Sequence, residues 1–214
     1  MEVGALRTAL RAGGLAVVPT DTVYGLAAAL DSEAGVAALY ALKGRPHEQP
    51  IQVLLLAPTL LDEALAPLDA ATAAAARALL PGPATCVVPD PKGRYRGAAG
   101  AEAGSVGVRA PRVGGPLGAL DLPLVATSAN EPGGQDPARV EDVPSRLRRA
   151  AACVVDAGSL PGTASAVVDL RPLFAGRPAI LLRPGPDPDG TAAALAAAGA
   201  TLQRSTTGPT GGRA

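Results

Sequence analysis

The sequence predicts an α/β fold in which helices flank a mixed β-sheet. Short apolar runs typical of strands alternate along the chain with segments of helical period. Several connections between these runs are too short for a crossover helix, so some neighbouring strands are expected to be antiparallel. No linker-like segment interrupts residues 1–200, which predicts one domain there, followed by a flexible tail over 201–214.

The first 80 residues are predicted to form three helices and two strands. Apolar residues recur every three to four positions over 2–12, 33–43 and 69–80, which predicts helices. Glycine or proline follows each of these segments and ends the helix. Continuous apolar runs at 15–18 and 51–56 are typical of strands that are buried on both faces.

The rest of the chain, from residue 84 onward, alternates more quickly between short strands and helical or turn segments. A helical segment is predicted over 140–150, where Pro144 limits the regular part. Strand-like apolar runs are predicted at 84–88, 105–109, 124–127, 152–155, 165–169 and 179–183. The core must be aliphatic, because 48% of the residues are hydrophobic and only 2% are aromatic.

Composition and missing motifs exclude several classes of protein. With 19 basic and 19 acidic residues the chain is neutral, which argues against electrostatic coating of nucleic acid. The single histidine, His47, rules out a zinc site built on several histidines, and two cysteines are too few for a disulfide framework. No apolar run is long enough to span a membrane, and we expect a cytoplasmic protein.

Two polar clusters follow early elements of the predicted sheet. Thr20, Asp21 and Thr22 come directly after the first strand, where open α/β sheets bind ligands, although such residues are equally typical of a capping turn. Lys43 and Arg45 stand at the end of a predicted helix. Two cations there could clamp a phosphate, but a helix C-terminus also favours cations through its dipole. Local pattern leaves both interpretations open.

A third cluster contains an arginine on a predicted strand. Alternation over 105–109 places Ser105, Gly107 and Arg109 on one face and two valines on the other. An inward-facing arginine is costly unless it meets a carboxylate or phosphate, whereas an edge strand would leave this face in water. Weaker polar clusters follow later strands at 126–130, 164–169 and 181–185.

Taken in order, these clusters resemble the YrdC-like threonylcarbamoyl-AMP synthases of the short, single-domain type. The resemblance spans residues 19 to 185 and includes one specific combination, PTDTVYGL followed by KGRP and TSAN. The matching motifs are PTDTVYGLA (19–27), LKGRP (42–46), PGPAT (81–85), SVGVRAP (105–111), ATSAN (126–130), ASAVVD (164–169) and LLRPG (181–185).

The resemblance implies a twisted, open sheet around a large concave, positively charged groove. It also implies an enzyme that makes threonylcarbamoyl-adenylate and pyrophosphate from L-threonine, bicarbonate or CO2, and ATP, with Mg²⁺ on the phosphates. A downstream transferase would pass the threonylcarbamoyl group to an adenosine of tRNA, while direct tRNA binding stays open. No side-chain nucleophile and no metal ligand is required of the protein.

The same resemblance assigns residues to the two sides of the groove. Lys43 and Arg45 are expected to act in catalysis by neutralising phosphate charge, and Arg109 is expected to bind the carboxylate of threonine. The threonine-binding residues would be Thr22, Arg109, Ser128 and Ser165. The ATP-binding residues would be Lys43, Arg45, Ser105, Asn130 and Arg183.

Two departures from the family pattern and two rival functions accompany this prediction. Relatives commonly carry a second lysine where this chain has Gln49, and a hydroxyl where it has Ala166, which predicts weaker ATP binding at most. His47 is expected to be a surface residue rather than a general base. The rivals are a non-catalytic RNA-binding module that uses the same groove and a carbamoyl-adenylate-forming domain of hydrogenase-maturation proteins.

Overall fold

The computed structural model describes residues 2–101 and 104–205. In this part of the chain, ten strands form one sheet: β1 (Leu15–Val18), β2 (Gly25–Ala29), β3 (Gln52–Leu54), β4 (Ala84–Pro89), β5 (Ser105–Arg109), β6 (Leu124–Ser128), β7 (Ala151–Val154), β8 (Ala166–Asp169), β9 (Ala179–Arg183) and β10 (Leu202–Arg204). The helices are α1 (Val3–Arg11), α2 (Glu33–Lys43), α3 (Pro58–Leu65), α4 (Ala70–Leu79), α5 (Arg96–Ala99), α6 (Ser145–Ala150) and α7 (Pro188–Ala197). Short 3-10 helices lie at Gly115–Ala119, Val140–Asp142 and Arg171–Ala175.

The sheet is mixed and open, which confirms the predicted fold class. Its strand order is β10-β9-β8-β4-β5-β3-β6-β2-β1-β7, so the end strands β10 and β7 have no partner on their outer edges among the described residues. The pairs β1–β7, β3–β5, β4–β8 and β9–β10 are parallel, and the remaining neighbours are antiparallel.

Alternation along the strands separates two hydrophobic clusters on opposite faces of the sheet. Val17 packs into the larger cluster, together with α2, α3, α4 and α7, whereas Ala16 and Val18 pack into the smaller one with α1. In the same way Val53 belongs to the larger cluster and Leu54 to the smaller. The smaller cluster covers only the part of its face near β1, β2 and β6, which leaves the rest of that face for a cavity.

Several elements were not predicted from the sequence. The strand β2 has the sequence GLAAA, which carries little strand propensity, and it is stabilised by pairing with both β1 and β6. The sequence analysis also missed α3, α5 and α7. Two of these helices, α3 and α7, begin with a proline, which is well tolerated in the first turn of a helix.

The predicted tail differs from the structure at its beginning. Residues Leu202–Arg204 form β10, which pairs in parallel with β9 from Ala179 to Leu181. Hydrogen bonds to a neighbouring strand order this short segment although it lacks an apolar period. The rest of the predicted tail, residues 206–214, lies outside the described residues. No described helix has the length and apolar character needed to cross a bilayer.

Candidate functional site

A cavity of about 440 Å³ opens on the sheet face that also carries the smaller hydrophobic cluster. Thr85 and Val87 of β4 point into it, whereas the intervening Cys86 packs into the larger core cluster on the other face. Strands β3, β5, β6, β8 and β9 contribute the other walls. The volume lies within the range of small-molecule and cofactor sites.

Arg109 at the end of β5 is the buried cation of this cavity. Its Nη2 donates hydrogen bonds to Asp21 Oδ1 and Thr20 Oγ1, both at 2.9 Å, and to Thr22 Oγ1. The Arg109–Asp21 ion pair is almost fully buried, with side-chain exposures of 4% and 12%. Of the two interpretations that the sequence left open, the structure shows the inward-facing arginine, and the anion that it meets within the protein is Asp21.

One further nitrogen of this guanidinium makes no hydrogen bond among the described residues. Arg109 Nε is buried and has no hydrogen-bond partner among the described residues, while the side chain lines the cavity. Burial lowers the pKa of Arg109. The charges of Asp21 and Asp136 act in the opposite direction, but the pKa stays below its ordinary value. A buried, unpaired donor beside an open cavity is what a bound carboxylate would satisfy.

Lys43 occupies a different position from the one expected of a phosphate clamp. Its Nζ donates to the backbone oxygens of Ser128, at 3.0 Å, and Asn130, and to Asn130 Oδ1 at 3.0 Å. The side chain is buried and lies behind the cavity wall, which Ser128 forms. Lys43 therefore supports the loop after β6, and its helix ends in a left-handed Gly44 as the sequence predicted.

Three further arginines face the cavity. Arg45 lines it, donates to Pro50 O at 2.5 Å and keeps a buried Nε without a partner among the described residues. Arg183 is exposed at the rim and donates through Nε to Ser165 O at 2.8 Å. Arg171 is held in a bidentate contact by Asp169, at 2.9 and 2.8 Å, after β8. The cavity is therefore strongly cationic.

Hydroxyl groups line the floor between these arginines. Ser165 Oγ is fully buried and lies 3.2 Å from Thr85 Oγ1 and 3.2 Å from Arg183 Nη2. Thr85 Oγ1 in turn donates to Gln52 Oε1 at 2.8 Å. Ser105 Oγ accepts a hydrogen bond from Arg171 Nη1 at 3.3 Å. These groups provide fixed donors and acceptors for polar substituents of a ligand.

The structure brings most of the predicted site residues into this one cavity. Its wall contains Arg45, Ser105, Arg109, Ser128, Ser165 and Arg183. Thr22, Lys43 and Asn130 lie directly behind the wall, where they contact residues that form it.

The residues that depart from the family pattern lie away from the cavity. Gln49 is exposed and does not contribute to the wall. Ala166 packs into the larger core cluster, so a hydroxyl at its Cβ would face the core, not the cavity. His47 is an exposed residue, as predicted, and its ring stacks on Tyr40 with 4.6 Å between centroids.

The predicted site residues did not include five polar residues of the wall: Gln52, Thr85, Thr127, Asp136 and Arg171. Thr85 belongs to the PGPAT motif (81–85), but no local pattern indicated which face of the sheet its side chain occupies. The spacing of Asp169 and Arg171 was a usable signal, because opposite charges two residues apart at a strand end can pair. Asp136 lies in a glycine- and proline-rich loop without any motif.

Fold and site together define an α/β protein with an open sheet and a cavity lined by four arginines. A family model named Sua5_yciO_yrdC and described as "Telomere recombination" matches residues 8–185. The chain belongs to this Sua5/YciO/YrdC family, which confirms the resemblance seen in its motifs.

Two curated relatives carry the name threonylcarbamoyl-AMP synthase. The protein from Pyrococcus abyssi is 31% identical over 82% of this chain and 52% of its own length. The protein from Halorhodospira halophila is 35% identical over 81% of this chain and 90% of its own length. This chain therefore spans about half of the first relative and most of the second.

A solved structure of the same family is similar throughout the described fold. The crystal structure of P. abyssi Sua5 complexed with L-threonine is 28% identical, with a TM-score of 0.72. The match covers 94% of this chain and 58% of the Sua5 chain.

Proposed function

We propose that this protein forms threonylcarbamoyl-AMP and pyrophosphate from L-threonine, bicarbonate or CO2, and ATP. The observation that carries the proposal is one cavity in which a buried arginine keeps an unpaired Nε while three more arginines face the same space. An amino-acid carboxylate and a triphosphate are both anions, and such a site offers each of them guanidinium donors. Named relatives with this activity support the same reaction.

The threonine side of the proposed site centres on Arg109. Its guanidinium, which lines the cavity, would donate to the substrate carboxylate, while Asp21 holds Nη2 in place. Ser128 and Ser165 face the cavity and would contact the polar groups of threonine. Thr22 accepts from Arg109 behind the wall, so we assign it an indirect role in positioning this arginine.

The ATP side of the proposed site is formed by Arg45, Arg183 and Ser105. We add Arg171, whose guanidinium lines the cavity while Asp169 holds it in position. Asn130 and Lys43 would act from behind by fixing the loop that carries Ser128. Their contact with the phosphates would require that loop to rearrange.

Mg²⁺ would enter with ATP. The described residues contain no group of three His, Cys, Asp or Glu side chains that could hold a metal ion. Phosphate oxygens and water usually provide most ligands of a nucleotide-bound Mg²⁺. The ion is therefore part of the substrate in this proposal.

The chemistry needs positioning and charge neutralisation but no protein nucleophile. The amine of threonine, after loss of a proton, forms a C–N bond to CO2 and gives a carbamate. A carbamate oxygen then bonds to the α-phosphorus of ATP as the bond to the bridging oxygen breaks and pyrophosphate leaves with its electron pair. Arginines around the cavity would balance the charge that develops on the departing group.

We place the reaction in the cytoplasm, ahead of a transferase that modifies tRNA. Both cysteines, Cys86 and Cys153, are free thiols, which agrees with a reducing compartment. A purely RNA-binding function has less support, because the described residues that line the cavity include no aromatic side chain on which a base could stack.

The experiment is to incubate the pure protein with ATP, Mg²⁺ and bicarbonate and to add each amino acid in turn. We expect release of pyrophosphate that depends on threonine and on bicarbonate, with a product of the mass of threonylcarbamoyl-AMP. Omission of bicarbonate is the matched control. Absence of threonine-dependent turnover, together with tight binding of RNA, would overturn the proposal in favour of the binding module.

A further inference from the structure

One acidic side chain stands among the cations of the cavity. Asp136 is the sole carboxylate among the described residues of the wall, where it faces a space that also contains Arg45, Arg109, Arg171 and Arg183. An acid in a site for phosphates and carboxylates repels these ligands unless it meets a cation. Its presence therefore calls for a positive group on a ligand or on the protein.

The loop that carries Asp136 is fixed on both sides. Asp136 Oδ1 accepts a hydrogen bond from Asn130 Nδ2 at 3.3 Å, and the next residue, Pro137, accepts from Tyr24 N at 3.0 Å. Among the described residues, no hydrogen bond reaches Asp136 Oδ2. This second oxygen is the one that a ligand could engage.

The carboxylate acts electrostatically on the residues that hold the proposed substrates. Desolvation lowers the pKa of the buried Arg109 and of Arg183 at the cavity rim, and the negative charge of Asp136 acts to raise the pKa in each case. No ion pair within 4.0 Å joins Asp136 to either arginine in the described part of the chain. Asp136 is thus close to the cations without being neutralised by direct contact.

The substrates of the proposed reaction differ in charge. ATP and bicarbonate are anions, whereas threonine enters as a zwitterion with a cationic α-ammonium group. A site that binds a free amino acid needs an anion for the ammonium as well as a cation for the carboxylate. Arg109 provides the cation for the carboxylate. Asp136, in the same wall, is suited to provide the anion for the ammonium.

We propose that Asp136 binds the α-ammonium of the amino-acid substrate and so selects a zwitterion over a simple carboxylate. This inference rests on the proposed function and adds a specificity residue to it. Asp136 would orient the nitrogen in the cavity before it captures CO2. A direct Mg²⁺ ligand is the competing role for the same carboxylate, and the experiment distinguishes the two.

The test compares two ligands and two proteins by isothermal titration calorimetry without ATP. L-Threonine and (3R)-3-hydroxybutyrate share the carboxylate and the hydroxyl group, but only threonine has the amine. We expect the wild-type protein to prefer threonine by at least about tenfold, because a charge-assisted hydrogen bond contributes more than a neutral one. In Asp136→Asn this preference should fall to less than about threefold, with hydroxybutyrate binding unchanged or tighter.

The matched control is Asp189→Asn, which removes an exposed carboxylate outside the cavity wall and should preserve the preference. Equal weakening of both ligands in Asp136→Asn would show a structural role and overturn the inference, as would an unchanged preference. A changed Mg²⁺ requirement of turnover with the preference intact would assign Asp136 to the metal instead. A wild-type protein that fails to bind threonine would overturn the proposed function itself.

Discussion

Arg109 and Lys43 are two buried cations on opposite sides of the same cavity wall, and they are stabilised in different ways. Arg109 pairs with a carboxylate, Asp21, through one nitrogen and keeps another without a partner. Lys43 contacts no carboxylate among the described residues and donates its hydrogen bonds to neutral oxygens of Ser128 and Asn130. Burial lowers the pKa of Lys43 to about 8.

The comparison separates a cation that keeps an unused donor from a cation whose donors are all used within the protein. Because Arg109 is neutralised on one side, it can be buried in advance of a ligand and still offer a donor to the cavity. Lys43 has used its donors on a single loop, so its charge stabilises the position of Ser128 rather than contacting the cavity directly. A residue can therefore belong to a family motif and act through its neighbour.

The largest effect is expected from breaking the buried ion pair. Arg109→Ala should lower the free energy of unfolding by about 3–5 kcal/mol, because Asp21 is left buried without its cation. The double variant Asp21→Ala/Arg109→Ala should be more stable than Arg109→Ala alone, since no charge is then uncompensated. Urea denaturation of both proteins measures the difference. If the double variant loses the sum of the two single effects, the pair is not coupled.

A smaller effect on stability and a specific effect on turnover are expected at Lys43. Lys43→Met keeps the apolar stem but releases the loop at Ser128, so pyrophosphate release should fall by about 100-fold while the protein stays folded. Lys92→Met is the matched control, because Lys92 is exposed and lies outside the cavity wall. Unchanged turnover in Lys43→Met would remove this residue from the site.

The smallest effect concerns pH. The pKa of Lys43 is about 8 in the folded protein, against 10.5 for an ordinary lysine. Between these values the unfolded chain binds more protons than the folded one, so the contribution of Lys43 makes unfolding less favourable as pH rises.

Between roughly pH 8 and 9.5, we expect the free energy of unfolding of the wild-type protein to rise by at most about 2 kcal/mol relative to that of Lys43→Met. Denaturation of both proteins at several pH values measures this gain, and the variant corrects for all other titrating groups. Parallel stability curves would show that Lys43 is not desolvated as the structure indicates.

Local patterns were enough to predict many of the elements. The bounds of β1 and α2 agree with the prediction. The strand is a continuous apolar run that ends at a proline, and the helix has a clear apolar period and ends at a glycine. The strand β2 was missed, since Gly25–Ala29 is held by two neighbouring strands and not by its own propensity. The order of the strands follows neither the chain nor any local pattern, so it could not be predicted from periodicity.

Local sequence patterns were also insufficient to predict how the side chains of the site are arranged. Alternation over 105–109 placed Arg109 on one face with Ser105 but left open whether that face is buried, and its partner Asp21 is 88 residues away in sequence. The pattern also could not show that Lys43 turns away from the cavity or that Arg171 and Asp136 enter it. Those directions depend on which strands are neighbours and on how the loops between them close.

The amino-acid sequence by itself determined the α/β class, the aliphatic core and the motifs that identify the family, because these depend on composition, period and short-range spacing. Tertiary structure alone decided which cation is neutralised within the protein and which polar groups share one wall. The physical reason is that burial and electrostatic pairing depend on distances across the sheet, and pairs such as Arg109 and Asp21 become close only after the strands have assembled.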